Sequence, residues 1–186
     1  MKTALIIIAV VAVVLVGWGV SANNRFVTLN ENINGAWAQV ETVLQRRYDL
    51  IPNLVNTVKG YAKHESDVLE EVTRLRSQWG EAKTSDEKVG AANQLESALG
   101  RLMVVVEKYP DLKANQNFLA LQDELAGTEN RIAVERRRYN EVVQAYNTAV
   151  ARFPGSIIAG FRGFQRRDVY FKAATDAAQA PKVEFP

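Results

Sequence analysis

The most chemical-looking cluster in this chain is His64-Glu65 with Asp67. An imidazole and a carboxylate three residues apart share one helix face, a spacing from which divalent metals take ligands. Two ligands are too few to hold an ion, and His64 is the single histidine of 186 residues, so a multi-histidine centre cannot form within one chain. A histidine at a helix surface or turn is the simpler reading. Glu107, Asp111 and Glu129 supply carboxylates, but no partner acid, glycine-rich loop or nucleophile motif accompanies them. Arg136-Arg137-Arg138 offers charge for a phosphate, yet three adjacent helical residues point in three directions. A solvated face plus one buried ion pair fits that run better. Cysteine is absent, which removes disulfides, thiolate metal sites and cysteine nucleophiles and leaves the redox compartment open. A formal charge of +2 gives no sign of nucleic acid as a partner. We expect no catalytic residue, no metal site, no cofactor and no enzymatic activity.

With so little chemistry, architecture carries the reading. Ala4 to Val20 reads ALIIIAVVAVVLVGWGV, seventeen residues without a charge or a strongly polar side chain. At ~1.5 Å per residue and with weakly polar flanks, this run just spans a hydrocarbon layer of ~30 Å. Trp18 sits near its outer end, where an indole prefers the interface. The competing reading is a cleaved signal peptide, with Lys2 as the charged start and Val20-Ser21-Ala22 as the cleavage site. The apolar run is longer than the ~7–15 residues usual for a signal peptide, which favours a retained anchor. Lys2 and the amino terminus against Arg25 lean, by the positive-inside rule, to a bundle on the outer side.

Beyond the anchor the chain holds about 160 residues, one domain's worth. Phe26, Leu29, Ile33, Trp37, Val40 and Leu44 follow helical spacing. Asp49 and Pro52 suit the start of a second helix, so we expect a break at 48–52. An unbroken heptad phase through Ile33, Val40, Arg47, Leu54, Tyr61, Val68 and Leu75 supports the alternative, a kink at Pro52 and a turn at 60–66. Gly80 to Ser85 is a turn with Ser85 as cap, followed by Asp86 and Glu87 in the first helical turn. Ala92, Leu95, Leu99, Leu102 and Val106 form the next stripe, which Tyr109-Pro110-Asp111 ends. The last helix repeats Phe118, Leu125, Ile132, Tyr139, Tyr146 and Phe153 at intervals of seven, a coiled-coil-like seam. Thr128, Glu129, Glu135 and Arg136 interrupt its companion positions. We read Glu129 and Arg136 as a structural polar layer that fixes helix register, with Glu129 at least half-buried and accepting a hydrogen bond from another helix.

The segments LQRRYDLIPNLVNTVKGYAKHE (44–65), YPDLKANQNFLALQDELAGTEN (109–130) and RRRYNEVVQAYNTAVARFP (136–154), with the later GF and PKVEF elements, resemble the LemA family over essentially the whole chain. One departure is Phe26-Val27-Thr28-Leu29-Asn30, where the family commonly has a Tyr-Asn pair, which puts the first bundle helix's start in doubt. The resemblance implies an anchored four-helix bundle with no established catalytic activity and no catalytic residues to carry over. It also implies kinship with a branch associated with magnetosome membrane formation.

The fold expected is therefore all-α: a transmembrane anchor at 1–23, an up-and-down bundle of about four long helices at 24–153, and a tail at 154–186 with a short helix and an extended end. The function expected is a single-pass scaffold or assembly protein at the cytoplasmic membrane of a bacterium. Its partners would be the lipid bilayer, further copies of itself and a second membrane protein. The alternative is a lipid-binding or membrane-remodelling factor that acts through the tail. From Arg131 to Lys172 nine basic residues face three acids, a local excess of six. Trp18, Ile158, Phe161, Arg162, Phe164, Arg166 and Arg167 are the expected membrane contacts. We expect a break at 48–52 to bring the tail back to the anchor, and a continuous first helix to leave it far away.

Overall fold

The computed structural model describes residues 1–62 and 64–171. Lys172 and the extended end at 181–186 lie outside the described residues. The order is α1 (Lys2–Tyr61), α2 (Ser66–Glu81), α3 (Ser85–Val106), α4 (Pro110–Lys113), α5 (Gln116–Ala151) and α6 (Gly155–Arg162). The fold is all-α, and the described residues contain no strand. Two compact units divide the chain. Unit 1 holds Met1–Gln39 and Arg137–Tyr170, and unit 2 holds Val40–Arg136 with Phe171.

In unit 2 the expected break at 48–52 does not occur, because α1 runs through Pro52 to Tyr61. Proline has no N–H and cannot donate to the carbonyl four residues back, which is that of Tyr48. Here Arg76 Nε donates to the Tyr48 oxygen at 3.1 Å. The orphaned acceptor is thereby satisfied, and the helix survives its proline. Asp49 is no cap and instead accepts from Gln45 Nε2 of the same helix at 2.8 Å. The heptad phase then holds for Val40 and Leu54, both fully buried, while Tyr61 is 42% exposed.

Helices α2 and α3 pack on each other. Leu69, Val72, Leu75 and Trp79 of α2 are buried, as are Ala92, Leu95, Leu99 and Leu102 of α3. The α3 cap is Thr84, one residue before the expected Ser85. Its hydroxyl accepts from the Glu87 N–H, and the Glu87 carboxylate accepts from the Thr84 N–H, which completes a capping box. Asn115 caps α5 by accepting from the Phe118 N–H at 3.0 Å. The α5 seam is buried at Phe118, Leu125 and Ile132. Each large side chain fully withdrawn from water contributes roughly 1.5–3 kcal/mol.

In unit 1 the same seam continues through Tyr139 and Tyr146 but not through Phe153, which is 76% exposed beyond the end of α5. Trp37 meets the Tyr139 ring edge-on at 5.6 Å. Helix α6 returns to the anchor end of α1: Arg162 Nε donates to Asn23 Oδ1 at 2.9 Å. A continuous α1 therefore does not carry the tail away from the anchor. Parity depends on how many turns the chain makes, not on where the first one falls, and the turns near 80–85 and 107–115 remain.

Candidate membrane-contact site and polar layer

The apolar run of α1 is bare. Leu5 to Val16 includes no buried residue, and Trp18, with 38% exposure, marks its outer end. One turn further on, α6 packs alongside through small residues. A Cβ on Gly19 would lie 3.7 Å from Ile158 Cδ1, and Gly155 sits against the Phe26 ring. Ala159 is the buried residue of α6, whereas Ile157 and Phe161 project outward, 59% and 92% exposed. Gly163 ends α6 in the left-handed region, φ 75°, which glycine reaches without a Cβ clash. That turn swings Phe164 onto Phe26, with ring centroids 5.4 Å apart.

The seven residues expected at the membrane are therefore not equivalent. Ile158, Phe161 and Arg162 lie where α6 meets α1, whereas Trp18 lines a separate cleft with α5 and residues 153–155. Arg166 is exposed nearby on the segment after α6. Phe164 and Arg167 are engaged with protein: Arg167 donates to Asn30 Oδ1 at 3.0 Å, and its backbone N–H donates to Asn147 Oδ1 at 2.8 Å. Asn147 also donates to the Arg167 carbonyl and the Tyr170 hydroxyl. The sequence reading passed over Asn147, Asn23 and Gly19. For Asn147 the signal was an amide on the helix face of Val143 and Val150, four residues after one and three before the other, both buried.

Unit 2 carries the polar layer. Glu129, its side chain 38% exposed, forms an ion pair with Arg47 of α1, whose side chain is 12% exposed. Arg136 Nη1 reaches Glu96 at 3.3 Å, and its guanidinium lies 5.1 Å from the Phe171 ring centroid. Tyr48 stacks on Trp79 at 4.0 Å, and Lys88 lies over the same indole while pairing with Glu41. Burial holds the Tyr48 phenol well above its ordinary range, against the lowering influence of Arg47 and Arg136, so it stays a neutral hydroxyl. Thr128, 4% exposed, donates to the Leu125 carbonyl. The layer joins α1, α3 and α5 through charge, which suits register better than reaction chemistry.

His64, Asp67, Asp111, Arg137 and Arg138 are exposed. Glu107 pairs with Lys113 at 2.6 Å. Among the described residues no group of three or more His, Cys, Asp or Glu could hold a metal ion.

The LemA family profile matches residues 36–185. Magnetosome protein MamQ 2 of Paramagnetospirillum magneticum is 27% identical, over 90% of this chain and 71% of that protein. Magnetosome protein MamQ of Magnetospirillum gryphiswaldense is 28% identical, over 79% and 64%. Protein LemA of Metamycoplasma hominis is 26% identical, over 89% and 74%.

Proposed function

This chain belongs to the LemA family, and on that premise we propose that it is a single-pass, membrane-anchored helical scaffold, not an enzyme, that self-associates at the cytoplasmic membrane of a bacterium. The observation that carries this reading is the bare apolar run of α1. The 18-residue window that could cross a membrane is 0% buried, so a bilayer is the natural cover for it. The similarity to proteins named for the magnetosome is compatible with the same reading. In this account residues 1–23 anchor, 24–153 form the assembling bundle and 154–186 form the tail. The bundle lies on the outer side, and further copies or a second membrane protein bind its exposed faces.

The test is the particle released by mild detergents, weighed by light scattering. A defined oligomer is expected, and a monomer in every mild detergent contradicts self-association. Because the chain has no cysteine, a single Ser97→Cys probe reports sidedness cleanly. Labelling by an impermeant maleimide in intact cells is expected, and labelling only after lysis reverses the topology.

A second reading rests on α6: an exposed Phe161 and Ile157 beside the anchor's outer end favour direct contact with the lipid surface. It is compatible with the scaffold, because the same foot orients an anchored assembly on its membrane.

A further inference from the structure

Within unit 1, one face of α1 and one face of α6 line an open groove of about 410 Å³. Val16, Gly19, Val20 and Asn23 stand at i, i+3, i+4 and i+7 along α1. Ile158, Phe161 and Arg162 stand at i, i+3 and i+4 along α6. The walls are graded. The end nearer the anchor is aliphatic and aromatic, and the far end carries Asn23 and Arg162. From Val16 to Asn23 the groove follows α1 for ~10 Å, at ~1.5 Å per residue. Its apolar end therefore lies within the stretch that reads as membrane-crossing, and its polar end lies one turn beyond that stretch, where headgroups begin.

We propose that this groove seats one anionic phospholipid of the leaflet adjoining the bundle, with an acyl chain along the apolar walls and the phosphate on Arg162. The inference rests on the reading that α6 meets the lipid surface. Close helix packing alone would explain Gly19 against Ile158, but it leaves two features idle. Phe161 is 92% exposed and lines the groove with no protein cover. Arg162 uses Nε on Asn23, and its terminal nitrogens meet no acceptor among the described residues. Those nitrogens form the planar fork that binds phosphate oxygens in pairs. The surroundings add to the preference for an anion. Over residues 1–39 and 137–170 the sequence holds eight Lys/Arg against three Asp/Glu. The balance of an apolar channel with one cationic end matches a phospholipid, whose two chemistries are joined in that order.

The experiment is native mass spectrometry of the full chain released from nanodiscs of mixed phosphatidylglycerol and phosphatidylcholine. One retained phosphatidylglycerol per chain is expected. Arg162→Gln is expected to lower that retained fraction about fivefold, the effect of one cation at a lipid surface. Gly19→Leu fills the groove floor and is expected to abolish retention, with thermal unfolding confirming that the variant is folded. Arg138→Gln, on an exposed residue outside the groove, is expected to retain lipid like the parent. No retained lipid in the parent, unchanged retention in Gly19→Leu, or equal retention of the two lipids overturns the proposal. A nitroxide at Ile157→Cys separates the two levels. Headgroup depth without a retained lipid overturns the groove and leaves the surface contact standing. A label in water overturns both.

Discussion

Arginine meets different company in the two units. In unit 2 the cations face carboxylates: Arg46 with Glu124, Arg47 with Glu129, Lys88 with Glu41, Arg101 with Glu71 and Arg136 with Glu96. In unit 1 Arg162 and Arg167 bond to the amide oxygens of Asn23 and Asn30, and the one carboxylate pair among the described residues, Arg137 with Glu141, spans 4.0 Å on an exposed face. Composition follows the same division. Residues 1–39 and 137–170 hold eight basic and three acidic residues, and the remainder holds fifteen and eighteen, which together restore the chain's 23 and 21. A near-neutral chain thus conceals a basic unit beside the anchor and an acidic, internally paired one. Charge in unit 2 is paired between helices, and the basic excess of unit 1 has few carboxylates to match it.

The contrast breaks most visibly at apolar positions. Ile132 in unit 2 is fully buried, so Ile132→Ala is expected to cost about 2–5 kcal/mol in denaturant unfolding of the detergent-solubilised chain. Ile157 in unit 1 is 59% exposed, and Ile157→Ala is expected to stay within about 0.5 kcal/mol. A large loss at Ile157 would mean that α6 is an ordinary core element and not a surface foot.

A smaller effect probes how unit 2 keeps its long helix. Arg76→Ala removes the donor to the Tyr48 carbonyl and is expected to cost about 1–3 kcal/mol. Adding Pro52→Ala supplies a backbone N–H to the same carbonyl, so the double variant is expected to recover much of that loss. Additive losses would refute the role given to Arg76. In the polar layer, Arg47→Ala leaves Glu129 without its partner and is expected to cost about 1–3 kcal/mol as well. Arg166→Gln in unit 1 is expected to leave unfolding unchanged.

The smallest expected effect is in acid. The Lys83 and Thr84 backbone N–H groups hold the Glu87 carboxyl below its ordinary range. A depressed carboxyl contributes stability that is present above its unfolded pKa and lost as pH falls through the folded one. Glu87→Gln is therefore expected to flatten the acid limb of stability below about pH 4.5 and to change little at neutral pH. An unchanged acid limb would show that the capping box does not form in solution.

Periodicity made the helices legible. The stripe from Ala92 to Val106 is buried at each position named from the sequence, and so is the seam from Phe118 to Tyr146. Two features were hidden. Pro52 read as a helix start because local rules cannot see that Arg76, 24 residues later, satisfies the carbonyl that proline orphans. The membrane-contact set read as uniform because composition cannot tell Phe161, pointing outward, from Phe164, turned by Gly163 onto Phe26.

The central proposal is that α6 meets the lipid surface and that position 97 of α3 does not. Single nitroxide labels at Ile157→Cys and Ser97→Cys, in the full chain reconstituted into bilayers, test it through relative accessibility to oxygen and to a water-soluble nickel chelate. The account predicts headgroup depth at 157 and full aqueous exposure at 97. Equal aqueous exposure at both positions would contradict it.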